Sequence, residues 1–251
     1  MFATALTSSA ALPIPSTLTP LSASSLERPS GFLEAASLQP RLHHHSWISK
    51  VRLSDDGFCD STAHINLSHH LTMGLEAKGK TLSYRALAEL GLSTRQAWDL
   101  AADNLVVAAR SPQGTRFYLR DAIHTTQVRS TDRSAIQVKA PGAPITAWLA
   151  HPRTFTLLNN HLEELLGPDL IYLAPLSDLL IVLPAGDKAR ADLEKWAATA
   201  TAGENPIAAL STDNSADGPG GEKITSTPLS YRLGFPTTAH VSPGTVSLQA
   251  A

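Results

Sequence analysis

Residues 63–77 alternate between apolar side chains at odd positions and polar ones at even positions, and this pattern constrains the fold more than any other in the chain. Only His69 interrupts the alternation. A period of two predicts a half-buried strand, with one face on the core and the other in solvent. Gly74 indicates a bend or bulge, so both one long strand and two short ones remain open.

The same region holds the only cysteine of the chain and three histidines, in the order Cys59, His64, His69 and His70. A strand would place His64 and His70 on its solvent face, about 20 Å apart at about 3.3 Å per residue. Zinc ligands must lie within about 2.3 Å of one ion, so the strand prediction excludes a shared metal site here. We therefore predict no metal and no cofactor. A histidine-based metal-binding protein, using also the triplet at 43–45, remains an alternative.

Three segments have helical patterns. The first, 91–110, opens with Ser93 and Gln96 at the spacing of a capping box and carries a stripe of Trp98, Ala101, Leu105 and Ala108. The second spans 151–168, with a stripe of Phe155, Leu158, Leu162 and Leu165, and the third follows Asp187. The predicted strands besides 63–77 are 116–120, 135–140, 145–150, 169–174, 178–184 and 227–233.

These elements are interspersed without regular alternation, which predicts an α+β fold: a mostly antiparallel sheet packed against about three helices. Residues 1–40 are rich in serine and proline and predict a disordered N-terminal tail. We expect a single domain over 42–240, with a flexible Gly-rich loop at 211–223 and a loose C-terminus at 241–251.

Composition narrows the function classes. Charged residues make up 17% of the chain and the net charge is −2, which gives no electrostatic reason to bind nucleic acid or anionic lipid. No apolar run approaches the length of about 20 residues that crosses a bilayer, so no membrane association is expected.

The N-terminus lacks a basic start before Arg28, and Pro13 and Pro15 interrupt its apolar part, so it is a poor signal peptide. We expect a cytoplasmic protein.

Catalytic motifs are missing: the sequence has no G-x-S-x-G, H-E-x-x-H, C-x-x-C or P-loop. The candidate binding residues are Trp148, His151, Arg153 and Tyr172, because aromatic and arginine side chains are favoured at interaction hot spots. A tryptophan beside a helix start is also typical of a core. The sequence favours a non-catalytic accessory or regulatory module that binds another protein. A homodimer through exposed strand edges also remains open.

The alternative is a hydrolase-like enzyme with its site at His151 or in the loop that holds Cys59. Asp55, Asp56 and Asp60 surround that cysteine, and their charges oppose formation of a nucleophilic thiolate.

Two stretches, AWDLAADNLV and TFTLLNNHLEELLGPDLIYLAPLSDLLIVLP, followed by a late PLSYRL, resemble the YtpQ-like family of bacterial proteins of unknown function. The matching elements are Ala101, Asn104 and Leu105 in the first helix, and the turn from Pro175 to Asp178. The resemblance covers about residues 63–235. It implies an α+β fold and a bacterial cytoplasmic setting, and no catalytic residue.

Overall fold

The computed structural model describes residues 35–50, 61–130, 135–203 and 221–239. The predicted tail up to residue 34, Cys59, residues 211–220 of the predicted loop and residues 240–251 lie outside the described residues. The described strands are β1 (Leu38–His44), β2 (His64–Asn66), β3 (Leu71–Ala77), β4 (Lys80–Thr81), β5 (Arg110–Ser111), β6 (Gly114–Thr115), β7 (Tyr118–Asp121), β8 (Ile136–Lys139), β9 (Leu170–Leu176), β10 (Leu179–Pro184), β11 (Leu229–Arg232) and β12 (Phe235–Thr238).

α-Helices and 3₁₀ helices connect these strands. The α-helices are α1 (Tyr84–Glu89), α2 (Thr94–Ala108), α3 (Ile123–Thr126), α4 (Pro152–Leu166) and α5 (Arg190–Ala202). The 3₁₀ helices are η1 (His45–Lys50) and η2 (Ile145–Ala150). The predicted α+β fold with antiparallel sheets is confirmed, and the three predicted helices are α2, α4 and α5.

The larger sheet has six antiparallel strands in the order β12-β11-β9-β10-β8-β7. The segments 169–174 and 178–184, both predicted as strands, form its central hairpin, β9 and β10. Tyr172 and Val182 face a cluster that includes Phe155 of α4, whereas Leu173 and Ile181 face a second cluster that includes Trp196 of α5. Helices cover both faces, which is why the two strands are apolar at nearly every position.

The smaller sheet is formed by β1, β3 and β2 in that order, with β4 also paired to β3. β1 includes residues 38–40, which the sequence analysis assigned to the disordered tail, so the folded part begins before that boundary. The alternating segment 63–77 is a hairpin of two strands, and the chain reverses between residues 67 and 70. There the N–H groups of Leu67 and Ser68 donate to the carbonyl of Leu71 at 3.0 and 3.1 Å.

The expectation of a solvent-facing polar side is wrong for β3, where Thr72 and Gly74 are buried. The reason is η1, whose Trp47 stacks on His43 with ring centroids 4.0 Å apart and lies against Gly74. A Cβ at position 74 would lie 2.9 Å from the Trp47 ring, so only glycine admits this cover. His43 is also buried, with Nδ1 2.8 Å from a Glu222 carboxylate oxygen.

Helix α2 begins at the predicted capping box: the Ser93 hydroxyl accepts from the Gln96 N–H, and the Gln96 side chain accepts from the Ser93 N–H. Its buried face includes Trp98, Ala101 and Leu105, but Ala108 is exposed. On α4, Phe155, Leu158 and Leu162 are buried as predicted, whereas Leu165 is exposed. The other two buried residues of α4 are polar, Thr154 and Asn159.

Residues 145–150 form η2, so the predicted strand there is wrong. All six residues are buried, and η2 contacts β1, α4, β10 and β12. A short apolar run without polar alternation does not distinguish a buried strand from a buried helix, and here the packing between the two sheets decides for the helix. One apolar cluster therefore runs from β1 through η2 to β9 and β11.

Candidate functional site

The four predicted binding residues do not share a surface. Trp148 and Tyr172 are fully buried, and each packs edge-on against a phenylalanine, Phe117 for Trp148 and Phe155 for Tyr172. Neither side chain is available to a partner in this conformation. Burial also raises the pKa of the Tyr172 hydroxyl above its usual value, so this group stays protonated.

His151 and Arg153 lie together at the start of α4, facing α2. The His151 Nδ1 accepts from the backbone N–H of Arg153 at 3.1 Å and so acts as the N-cap of the helix. Its Nε2 lies 3.0 Å from the Asp99 carboxylate. Because Nδ1 is the acceptor, Nε2 carries the proton and donates it to Asp99. The Arg153 guanidinium bonds Asp103 one turn further along α2.

The pKa values of His151 and Asp99 are both lowered, which favours a neutral imidazole and an ionised carboxylate. Burial lowers the pKa of His151 below its usual value, although the Asp99 carboxylate opposes the shift. The hydrogen bond from His151 lowers the pKa of Asp99. Near neutral pH, a neutral imidazole therefore donates to an ionised carboxylate.

Both imidazole nitrogens of His151 are thus occupied by groups of the protein. A general base needs a nitrogen lone pair within reach of the substrate proton, and here the backbone of Arg153 takes that lone pair. The cluster ties α2 to α4 and does not support the hydrolase alternative at His151. The second suggested location for an enzyme site, Cys59, lies outside the described residues.

The lowered pKa of His151 predicts a pH dependence of stability. Because the folded state binds the proton less readily than the unfolded chain, stability is fully present above a pH of about 6.5 and falls as the pH decreases below it. We expect His151→Asn to keep the N-cap but to lose the hydrogen bond to Asp99, at a cost of about 1.5–3 kcal/mol at pH 8. Urea unfolding between pH 8 and pH 5 should show a shallower loss of stability in the variant. Equal slopes in both proteins would contradict the assignment.

The histidines considered for a metal site are dispersed. His69 and His70 are exposed in the turn before β3, while His64 in β2 hydrogen-bonds through Nδ1 to the Thr62 carbonyl. Within the ranges that the structure describes, no three His, Cys, Asp or Glu side chains converge as a metal site would require.

Strand β7 is an open edge of the larger sheet, a feature that sequence reasoning missed although 116–120 was predicted as a strand. Its inner side pairs with β8, and no other described strand pairs with its outer side. The Ala122 N–H donates to the Ala135 carbonyl at 3.0 Å, so Ala122 and Ala135 form a hydrogen-bonded pair of the ladder between β7 and β8. Hydrogen-bonded pairs alternate along an antiparallel ladder, so Leu119 and Asp121 turn their backbone groups outward.

The side chains of β7 are also accessible. Tyr118 is 52% exposed and Leu119 is 38% exposed. Tyr118 lies beside a shallow depression of about 210 Å³ that Gln137 and Lys139 of β8 also line. The edge therefore offers backbone hydrogen-bonding groups and apolar surface together.

Comparisons with protein-family models, with curated proteins and with solved structures found no match. Among the described helices, none has the length and apolar character needed to cross a membrane. The resemblance to the YtpQ-like family stays a prediction.

Proposed function

We propose that this protein is a non-catalytic accessory or regulatory module that binds another protein by adding a strand of its partner to the outer edge of β7. The observation that carries the proposal is the open edge itself, with outward backbone groups at Leu119 and Asp121 beside two exposed apolar side chains. Strand addition of this kind takes its affinity from main-chain hydrogen bonds and its specificity from alternate side chains.

The opposite edge of the same sheet supports this choice. In β12, the hydrogen bond from the Ala239 N–H to the Pro228 carbonyl sets the phase, so Pro236 occupies an outward position. Proline has no N–H to offer an incoming strand and is a common protection of sheet edges. β7 has no proline, and its outward N–H groups have no hydrogen-bond partner among the described residues.

Charge indicates what the partner segment contains. Arg116 lies over the Tyr118 ring, with its guanidinium carbon 5.6 Å from the ring centroid, and Lys139 is directly across the ladder from Tyr118. Arg120 is in the same strand, where it bonds Gln137 and Thr125. A segment that pairs with β7 therefore meets a basic border, and we propose an extended peptide that alternates acidic and apolar residues.

Other parts of the proposal rest on the sequence. A bacterial cytoplasmic setting follows from the family resemblance, and a protein partner fits the absence of catalytic motifs. His151 and Arg153 stay predicted binding residues, although their side chains are engaged with α2.

The test uses a displayed library of random peptides, selected on the full-length protein. We expect enriched peptides to alternate acidic and apolar residues and to bind more weakly as salt increases. Leu119→Pro removes one outward N–H, as Pro236 does on the other edge, and is expected to weaken the enriched peptide about threefold to tenfold. Leu119→Ala keeps that N–H and should weaken it less.

Thr238→Ala, at an outward position of β12, is the matched control and should leave binding unchanged. Thermal unfolding would verify that all three variants fold. Equal affinity for the wild type and Leu119→Pro, or enrichment without acidic residues, would refute the proposal. A dimer in sedimentation that Leu119→Pro dissociates would instead assign the edge to a second copy of this chain.

A further inference from the structure

We infer that β7 selects the order of side chains in the incoming strand: an acidic, an apolar and an acidic residue in succession, with the apolar one opposite Leu119. This inference rests on the proposed function and adds to it which face of the sheet contacts each class of side chain. Since β7 is the outer strand of the sheet, both of its faces lie beside any strand that pairs with it.

The register of β7 and β8 assigns each side chain of the edge to a face. Leu119 is opposite Val138, which belongs to the apolar cluster under α4. Side chains directly opposite each other share one face, and side chains alternate along a strand, so Leu119 and Asp121 face α4. Tyr118 and Arg120 therefore lie on the other side of the sheet, where α5 packs.

The α5 side of the edge is basic. Lys139 is directly opposite Tyr118, and the guanidinium carbon of Arg116 lies 5.6 Å from the centroid of the Tyr118 ring. Arg120 donates to an amide oxygen at 2.6 Å and to a hydroxyl at 2.8 Å, and both partners are neutral. None of these three cations forms an ion pair with a described carboxylate. This side of the edge therefore favours acidic side chains in a partner.

The α4 side of the edge is apolar and carries a negative charge. Leu119 is 38% exposed there, and Phe117, just before β7, packs on His161 of α4 with ring centroids 5.4 Å apart. Asp121 lies on the same side, where its carboxylate accepts from a backbone N–H at 2.9 Å. An acidic side chain on this side would meet apolar surface and a like charge, so an apolar side chain is favoured.

The hydrogen bonding of the edge determines which partner residue lies on each side. Because Leu119 and Asp121 turn their backbone groups outward, an incoming strand forms hydrogen-bonded pairs with them. Tyr118 and Arg120 then form the non-hydrogen-bonded pairs, in which the side chains of neighbouring strands are closest. The partner residue opposite Leu119 is therefore apolar, and its two neighbours, opposite Tyr118 and Arg120, are acidic.

The test repeats the peptide selection on full-length Lys139→Glu, which reverses one charge of the basic side. The wild type should enrich acidic–apolar–acidic peptides, whereas the variant should enrich lysine or arginine at one of the two acidic positions. The variant should bind the wild-type peptide about threefold to tenfold more weakly, because an attraction is replaced by a repulsion. Lys139→Gln removes only the attraction and should weaken the peptide less.

Lys80→Glu is the matched control, because it makes the same change of charge in β4 of the smaller sheet. It should keep both the affinity and the selected pattern. Lys80 and Lys139 are both exposed, so neither substitution is expected to unfold the protein, and thermal unfolding verifies this.

Substitutions in the enriched peptide locate the contact. Replacing the acid opposite Tyr118 by its amide should weaken binding to the wild type but have little effect on binding to Lys139→Gln. Replacing the other acid, opposite Arg120, should weaken binding to both proteins by the same factor. Such a difference measures the coupling between one acid and Lys139.

Two results would overturn the inference and leave strand addition intact. One is an unchanged preference for acids in Lys139→Glu. The other is an equal loss of affinity in Lys139→Glu and Lys80→Glu, which would indicate a general effect of net charge. In both cases Leu119→Pro would still weaken the peptide, whereas equal affinity for the wild type and Leu119→Pro would refute the proposed function itself.

Discussion

Replacing Trp148 with alanine is expected to lower the free energy of unfolding by about 3–5 kcal/mol, the usual cost of emptying a large aromatic position in a core. Trp148 is fully buried in η2, and its ring lies 4.8 Å from that of Phe117. The apolar cluster around Trp148 joins the two sheets. A cavity there would therefore weaken the packing of both sheets. Urea or thermal unfolding measures the loss directly.

The control for this prediction is Trp148→Phe. The indole nitrogen is buried and has no hydrogen-bond partner in the described part of the chain, so phenylalanine removes a polar atom that forms no bond. We expect it to cost well under half as much as alanine. If Trp148→Ala unfolds like the wild type, Trp148 does not support the core, and its sequence-based assignment to a binding surface regains weight.

The second large effect is expected at Gly234, in the turn between β11 and β12. Gly234 has a φ of 85°, and a Cβ there would lie 2.8 Å from the Cα and 2.9 Å from the carbonyl oxygen of Pro152. Gly234→Ala should therefore cost about 2–5 kcal/mol, combining about 1–2 kcal/mol for the left-handed backbone with about 1–3 kcal/mol for overpacking. Denaturant unfolding provides the measurement.

Gly91→Ala separates these two causes. Gly91 also has a positive φ, of 70°, but a Cβ added there would meet no atom within 4 Å beyond its chain neighbours. It should show only the backbone cost. Equal losses at positions 91 and 234 would mean that the hairpin moves away from Pro152 without penalty.

The elements that could be predicted are those whose signals are local. Helix α2 carries its own capping box at Ser93, and the β9–β10 hairpin consists of two apolar runs around one short turn. β1 could not be predicted, because Pro40 and the serine-rich stretch before it concealed a weak alternation. The identity of 145–150 depended on packing between two sheets, which no window of the sequence contains.

For the candidate functional residues too, the sequence shows local patterns but not the positions that distant elements determine. Aromatic and arginine side chains near residue 151 suggested a hot spot, yet burial of Trp148 and Tyr172 depends on distant elements. The open side of β7 depends on the strand order of the whole sheet.

The first turn of α4 has a consequence for how the chain matures. It is held by Asp99 through His151 on one side and by the turn at Gly234 on the other. During synthesis the N-terminal parts of a chain emerge and begin to fold first. The β11–β12 hairpin leaves the ribosome after both α4 and α5. When α4 and α5 have emerged from the ribosome but the hairpin has not, α4 still lacks its contact with the turn at Gly234. The packing of α4 is therefore completed only once the hairpin has emerged.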